Sequence, residues 1–422
     1  MKSNRRDFLR TGVGAACLTL GFDALTPPIL RRRIFAAPAN PKKRFLFIFQ
    51  RGGMDGLNAV IPRGDAEYNQ INRPTLFVPE GSASDLGNGF AQLHPQLNAI
   101  REVYESGTLA IVHRVGYRGQ SRSHFDSQKY WENGTLDNKL STGIFNRHLG
   151  SSEAVRGNRF PAASLDRNPL LALSGPVSVP NFANPNDFGF RGNDSHVAKF
   201  LGRLPTSRIR GRGFLGAYGG AHDLEGKPNR NALYDAGVTL ADTVNVLREN
   251  DIDPARYRPE NGAAYPNGQF GDHLKTAAQL FKRTSVQIVG VNLNGWDTHT
   301  AQAGAFNGLL AQIAMGFRAL ARDLDDQWDD TVVATMSEFG RTSRENGSQG
   351  TDHAEATAMF LAGGKVNGGV YNCDQNTWRS GDMFSTANGR YVAHRTDFRS
   401  ILGEIFREHF GDSEKVIQQV IP

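Results

Sequence analysis

Two stretches in the last third of this chain place metal-competent or acid/base groups just past apolar, β-branched runs. In SVQIVGVNLNGWDTH the run leads to Asp297 and His299; in TVVATMSEFGRT it leads to Ser337, Glu338 and Arg341. A third cluster, GTDHA, carries Asp352 and His353. A carboxylate and an imidazole two apart in a turn can ligate one cation or act as a hydrogen-bonded base pair. A guanidinium such as that of Arg341 suits a bidentate grip on phosphate or sulfate. The elements that must position these groups are strands. In open α/β sheets ligands sit outside the carboxyl ends of the strands, so groups about forty residues apart in the chain can converge there.

Two earlier turns have the same character. RFLFIFQRGGMDGLN ends a strand-like run in glycines that let backbone approach a ligand closely, and Asp55 is a hard-oxygen metal candidate. The same residues also read as a tight β-to-α turn with an Asx cap. The turn is not a GxGxxG fingerprint, which argues against a dinucleotide site. GYRGQSRSHFDSQKYW places Ser121, Arg122, Ser123 and His124 just ahead of an amphipathic helix. A serine there lies among unpaired amides, where an attacking alkoxide and an anionic substrate are both stabilised. Ser123, with Asp126 three residues on, reads equally as a helix cap. His94, His148, His196 and His222 have no comparable company.

Strand-like runs at 44–50, 108–116, 285–293, 331–336 and 358–364 are nearly continuous apolar stretches, the pattern of strands buried on both faces of a parallel sheet. Helical patterns lie between them at 94–107, 123–134, 232–250, 271–283, 303–327 and 396–411. This alternation predicts an α/β fold, a central mostly parallel sheet flanked by helices. Residues 151–230, rich in Gly, Pro, Asn and Arg, break the rhythm and read as an irregular insertion or cap over the strand ends. With 39% hydrophobic residues, 40–422 is ample for one large domain.

The amino terminus, SNRRDFLRTGVGAACLTLGFDAL, pairs Arg5 and Arg6 ahead of a mildly apolar segment, and Ala37-Pro38-Ala39 offers a small-x-small cleavage site. It predicts a twin-arginine signal over 1–39, with the twin-arginine translocase as partner and a periplasmic or extracellular destination. Asp23, Pro27 and Pro28 interrupt the apolar run, so no permanent membrane anchor is expected. Losing this segment would lower the formal net charge from +6 to +1, which removes the argument for nucleic-acid binding. Only Cys373 would remain, which excludes an intramolecular disulfide, a thiolate zinc cluster and a CxxC redox pair.

A twin-arginine leader, GGMDGLN, RSHF, WDTH, SEFGRT and GTDH, in that order, resemble the exported family called domain of unknown function 1501, a distant relative of the alkaline phosphatase and sulfatase superfamily. The resemblance implies an alkaline phosphatase-like fold and transfer of phosphoryl or sulfuryl groups, with a serine or threonine-type nucleophile and one or two divalent cations such as zinc, manganese or calcium. Carried over position by position, Ser123 matches the nucleophile, and Asp55, Asp297, His299, Glu338 and His353 match metal ligands. Arg341 and Arg122 would neutralise the ester anion. Glu338 and Phe339 stand where the superfamily has Asp and His, and Asp297 and His299 are two apart where its spacing is four. The implied function is a metal-dependent hydrolase of phosphate or sulfate esters, of small molecules or glycans. A non-catalytic envelope protein binding an anionic glycan or a protein partner through a degenerate metal site is the alternative.

Overall fold

The computed structural model describes residues 43–188, apart from 138, 157 and 159, and 232–422. The predicted amino-terminal signal lies outside the described residues, as does the predicted cap from 189 to 230.

RFLFIFQR has no polar face, so it must be buried on both sides. It forms β1 (Arg44–Arg51) at the middle of a sheet. Phe45, Phe47 and Phe49 enter one core layer, while Leu46 and Ile48 enter the other. The other strands are β2 (Leu109–Gly116), β3 (Ala162–Leu165), β4 (Ile288–Asn294), β5 (Thr331–Met336), β6 (Thr357–Ala362), β7 (Gly369–Tyr371) and β8 (Thr396–Asp397). Their order is β7-β2-β6-β5-β1-β4-β3, with β8 beside the end of β2. β1 runs parallel to both β4 and β5, with Phe45 opposite Ile288 on one side and Val332 on the other. Only β6 among these pairings is reversed, antiparallel to β2 and to β5. The fold is therefore α/β with a central, mostly parallel sheet.

Helices cover both faces. α1 (His124–Asn133) and α4 (Phe398–Glu404) pack on one face, where Trp131 stacks on Phe398 with centroids 4.2 Å apart. α2 (Gln269–Arg283) and α3 (Gln302–Leu324) pack on the other, burying Leu274, Ala277, Phe281, Leu310, Ile313 and Phe317. Within the predicted insertion, Ala162–Leu165 is not irregular: it extends the sheet as an edge strand parallel to β4.

Asp55, expected among the metal ligands, is 1% exposed and forms a buried ion pair with Arg73, Oδ2 lying 2.7 Å from Nη1. It also caps the short helix at Gly56–Ala59 through Asn58 N and accepts from Gln302 Nε2 at 2.7 Å. Arg73 in turn donates to the carbonyls of Thr342 and Ser343, so the pair locks the first turn to the SEFGRTS loop. With these donors on its oxygens, Asp55 is a structural carboxylate. Breaking a buried pair leaves the other charge unpaired, so Asp55→Asn should cost about 3–5 kcal/mol. Urea unfolding would measure the loss, and metal per folded molecule should stay unchanged.

Candidate metal centre

The carboxyl ends of β1, β4 and β5 lie side by side, and the loops that leave them are stitched together by backbone. Gly340 N donates to Glu355 O and Gly340 O accepts from Ala354 N, joining SEFGRT to the end of GTDHA and bringing Arg341 and His353 opposite one another. Thr351 N donates to Thr298 O at 3.1 Å, and Gln302 N donates to Gln349 O at 2.9 Å, tying GTDHA to WDTH. Gln302, fully buried, adds a second layer: its Oε1 accepts from the Thr298 and Thr351 hydroxyls while its Nε2 holds Asp55.

This framework gathers Asp297, His299 and His353, together with His124 at the start of α1. Three imidazole Nε2 atoms surround one carboxylate. His299 and His353 lie 3.0 and 3.1 Å from Asp297 Oδ1, and His124 lies 3.3 Å from Oδ2. His299 Nε2 and His353 Nε2 are 2.9 Å apart.

The other nitrogen of each ring fixes the tautomer. His124 Nδ1 faces Glu338 Oε1 at 2.8 Å, His299 Nδ1 faces Asp352 Oδ1 at 3.0 Å, and His353 Nδ1 faces the Arg122 carbonyl at 2.8 Å. Carbonyls and ionised carboxylates only accept, so each Nδ1 carries the proton. In the neutral imidazoles every Nε2 then presents a lone pair. Three lone pairs and a carboxylate held this close repel one another unless a proton or a cation sits among them. Oriented His ligands whose second nitrogen donates to a carboxylate or carbonyl are the usual surroundings of a bound metal. Among the described residues, His124, Asp297 and His353 have ligand atoms that all lie within 4.8 Å of one another. The donor set therefore fits a divalent cation that accepts nitrogen and oxygen ligands, zinc or manganese before calcium.

Charge in the cluster is set from below. Arg341, fully buried, donates from Nη2 to Asp297 Oδ1 at 2.6 Å and from its other nitrogens to the carbonyls of Gly53 and Thr351. Burial works against the Asp297 charge, but Arg341, helped by His353, holds the carboxyl down to about 2. Arg341 was expected to grip the ester anion. Its guanidinium is instead enclosed by Asp297 and backbone carbonyls, and it positions the carboxylate.

Glu338, expected as a ligand, is also fully buried. Its Oε1 accepts from Gly52 N at 2.9 Å, Gln128 Nε2 at 2.8 Å and His124 Nδ1, so it orients His124 from behind. Burial opposes its charge, and the His124 and Gln128 hydrogen bonds outweigh this to hold its pKa below the ordinary carboxylate value. The bond to Glu338 raises the His124 pKa, while burial lowers that of His353. Phe339 packs against both rings, with centroids 4.8 Å from His124 and 4.6 Å from His353.

Ser123 caps α1, its Oγ accepting from Asp126 N at 3.5 Å, next in sequence to His124. Arg122 is exposed and shares the rim with the cluster. His124 has no role in the sequence expectation although RSHF contains it. The available signal was its place beside Ser123 in a strand-end loop.

Gly52 shows how tightly the cluster is built. Its φ is +125°, and an added Cβ would lie 2.2 Å from Asp297 N. Gly52→Ala therefore forces Asp297 backbone away from the imidazoles. It should cost about 2 kcal/mol or more through left-handed strain and overpacking, and metal content of the surviving folded protein should fall below stoichiometric.

No helix among the described residues is long and apolar enough to cross a membrane. No curated protein matches the chain. Among solved structures it is similar to Ps i-CgsB in complex with k-i-k-neocarrahexaose, at 12% identity over 89% of this chain and 74% of that one, TM-score 0.36. It is also similar to the integral membrane protein lipooligosaccharide phosphoethanolamine transferase A from Neisseria meningitidis, at 10% identity over 84% of this chain and 55% of that one, TM-score 0.31. The same holds for alkaline phosphatase from the Antarctic bacterium TAB5, at 9% identity over 80% of this chain and 96% of that one, TM-score 0.30. The segment that contributes Asp297, His299, Glu338, Arg341 and His353 falls within residues 213–420, which match the model of a family described as protein of unknown function (DUF1501).

Proposed function

We propose that this protein is a metal-dependent hydrolase of phosphate or sulfate esters, exported by the twin-arginine route. The observation that carries the reading is the convergence of three Nε2 atoms on Asp297, each from a ring whose Nδ1 is held by a carboxylate or a carbonyl. A divalent cation there supplies Lewis acidity toward the ester oxygens and the attacking hydroxyl. The chain's own residues do the rest. Glu338, Asp352 and the Arg122 carbonyl hold the three rings in one tautomer, and Arg341 keeps Asp297 ionised. Arg122, exposed at the rim, pairs with the ester anion. The attacking hydroxyl is that of Ser123 or of water. It forms a bond to phosphorus or sulfur as the bond to the alcohol oxygen breaks, and the alcohol leaves with the proton given up by the attacking hydroxyl. Where Ser123 attacks, water then displaces its oxygen from phosphorus or sulfur, releasing the inorganic anion and returning a proton to the serine.

Protein folded in the cytoplasm and purified without chelator should contain about one equivalent of metal, as a site with three nitrogen ligands and one carboxylate would hold. It should hydrolyse 4-nitrophenyl phosphate or sulfate, and His353→Ala should lose both metal and activity. A chain that carries no metal and takes none up would refute the reading. One observation favours the non-catalytic alternative: Ser123 Oγ is engaged as a cap. Vanadate separates the two, since a catalyst of this class binds it more tightly than phosphate.

A further inference from the structure

We propose that Arg122 and Phe125 form a recognition rim for a tetrahedral oxyanion carried on a flat-faced ring, so that the ligand is the phosphate or sulfate ester of a ring-bearing alcohol. The inference rests on the hydrolase reading and adds the substrate class.

Phe125 is 91% exposed, whereas nearly every other phenylalanine described is buried. A single exposed apolar side chain on a protein surface is ordinary. This one, however, directly follows His124, so its Cα lies about 3.8 Å from that of a cluster imidazole. The His124 ring turns into the cluster, and the Phe125 ring, on the same first turn of α1, is open to solvent.

On the other side of His124, Arg122 is exposed yet held. Its Nη1 donates to the Tyr391 hydroxyl at 2.6 Å, and its guanidinium carbon lies 5.5 Å from the centroid of the same ring. Tyr391 is only 2% exposed and also accepts from Asn388 Nδ2 at 2.7 Å, so the platform under Arg122 is fixed. The Arg122 carbonyl is bound to His353 Nδ1, which fixes the backbone as well. A surface arginine ordinarily loses rotamer freedom when it binds an anion; this one has already lost it, and pre-ordering favours binding. His124 thus has a charged, pre-ordered side chain two residues before it and an exposed ring directly after it in the chain, the two kinds of group that an anionic ester with a ring for its alcohol would require. Tyr391 is a positioning residue for Arg122.

Binding of non-hydrolysable analogues tests this independently of turnover. Methylphosphonate, phenylphosphonate, methanesulfonate and benzenesulfonate would be titrated calorimetrically into the full chain with one equivalent of zinc. The phenyl member of at least one pair should bind about tenfold more tightly than the methyl member, in the range of one well-placed aromatic contact. The pair that binds distinguishes a phosphate from a sulfate ligand. Phe125→Ala, at an exposed position that should not disturb folding, should reduce the preference below about threefold and leave methyl binding unchanged. Arg122→Gln should weaken both members of the pair about equally and keep the ratio. Equal binding of phenyl and methyl members, a preference that survives Phe125→Ala, or no binding of any anion would overturn the inference. Ring-dependent binding without turnover of 4-nitrophenyl esters would leave the rim in place and defeat the hydrolase. Turnover without ring preference would do the reverse.

Discussion

Asp297→Ala should abolish stoichiometric metal binding, weakening affinity by at least about a thousandfold, roughly 4 kcal/mol. Asp297 is the one group that all three imidazoles face, through Oδ1 for His299 and His353 and through Oδ2 for His124. Its removal deletes both a ligand and the negative charge that makes the cluster attractive to a cation. The metal-free protein should suffer too, since Arg341 loses its only carboxylate partner among the described residues while remaining buried. The loss of that charged hydrogen bond should destabilise by about 1.5–3 kcal/mol. Asp297→Asn separates the effects, because the amide can still accept from Arg341 while the charge is gone. Titration with a competing chelator measures the first quantity and urea unfolding in chelator the second. Wild-type metal affinity in either variant would remove Asp297 from the centre.

Stability should fall steeply between about pH 6.5 and pH 4, by as much as about 4 kcal/mol per pH unit at the steepest. Burial pushes three histidines outside the cluster, His94, His113 and His409, down to about 4. Each is bound as a neutral ring. His113 accepts from Arg114 N at Nδ1 and reaches the Val60 carbonyl from Nε2, and His409 Nε2 reaches the Arg44 carbonyl. His94 accepts from Gln96 N at the start of a 3-10 turn. In the unfolded chain these rings titrate near 6.5. As pH falls through that value the unfolded state takes up protons that the native state refuses, so the stability present above pH 6.5 is lost. The loss levels off below about 4, where the native rings also protonate. Urea midpoints measured in chelator from pH 7.5 to 4.5 would show it. His113→Asn should reduce the slope by about one proton, and a flat profile would contradict the assignment.

Much of the fold was legible because its strands are apolar on both faces and its helices on one. β1, β2, β4, β5 and β6 appear within a few residues of the expected positions, and the long helices likewise. The direction of β6 was not legible, since a doubly buried strand has no alternation and the sequence around Thr357–Ala362 says nothing of which way it runs. Ala162–Leu165 was missed because four small or apolar residues amid prolines and glycines give too short a signal. In the site, Asp297, His299 and His353 come together, while Asp55, Glu338 and Arg341 stand behind them. Sequence spacing can place a charged residue at a strand end, but it cannot say whether its charge faces the mouth or a buried partner. Arg73, which claims Asp55, lies in a stretch with no strand or helix signature, and Gln302 looks like any helical surface glutamine until its neighbours are known.

The central position of β1 also bears on how the chain acquires its shape during synthesis. β1 leaves the ribosome near the start of the domain, yet both strands that cover its edges come far later; Gly52 and Glu338, which meet at the end of this seam, are 286 residues apart. Until then a five-residue stretch of Phe, Leu and Ile, Phe45 to Phe49, has no partner on either side. Contacts so distant in the chain make folding slow and expose an aggregation-prone edge in the interval. Shielding that segment during synthesis should raise the yield of folded chain, and a carboxy-terminal fragment made without it would have two strands and no seam on which to join them.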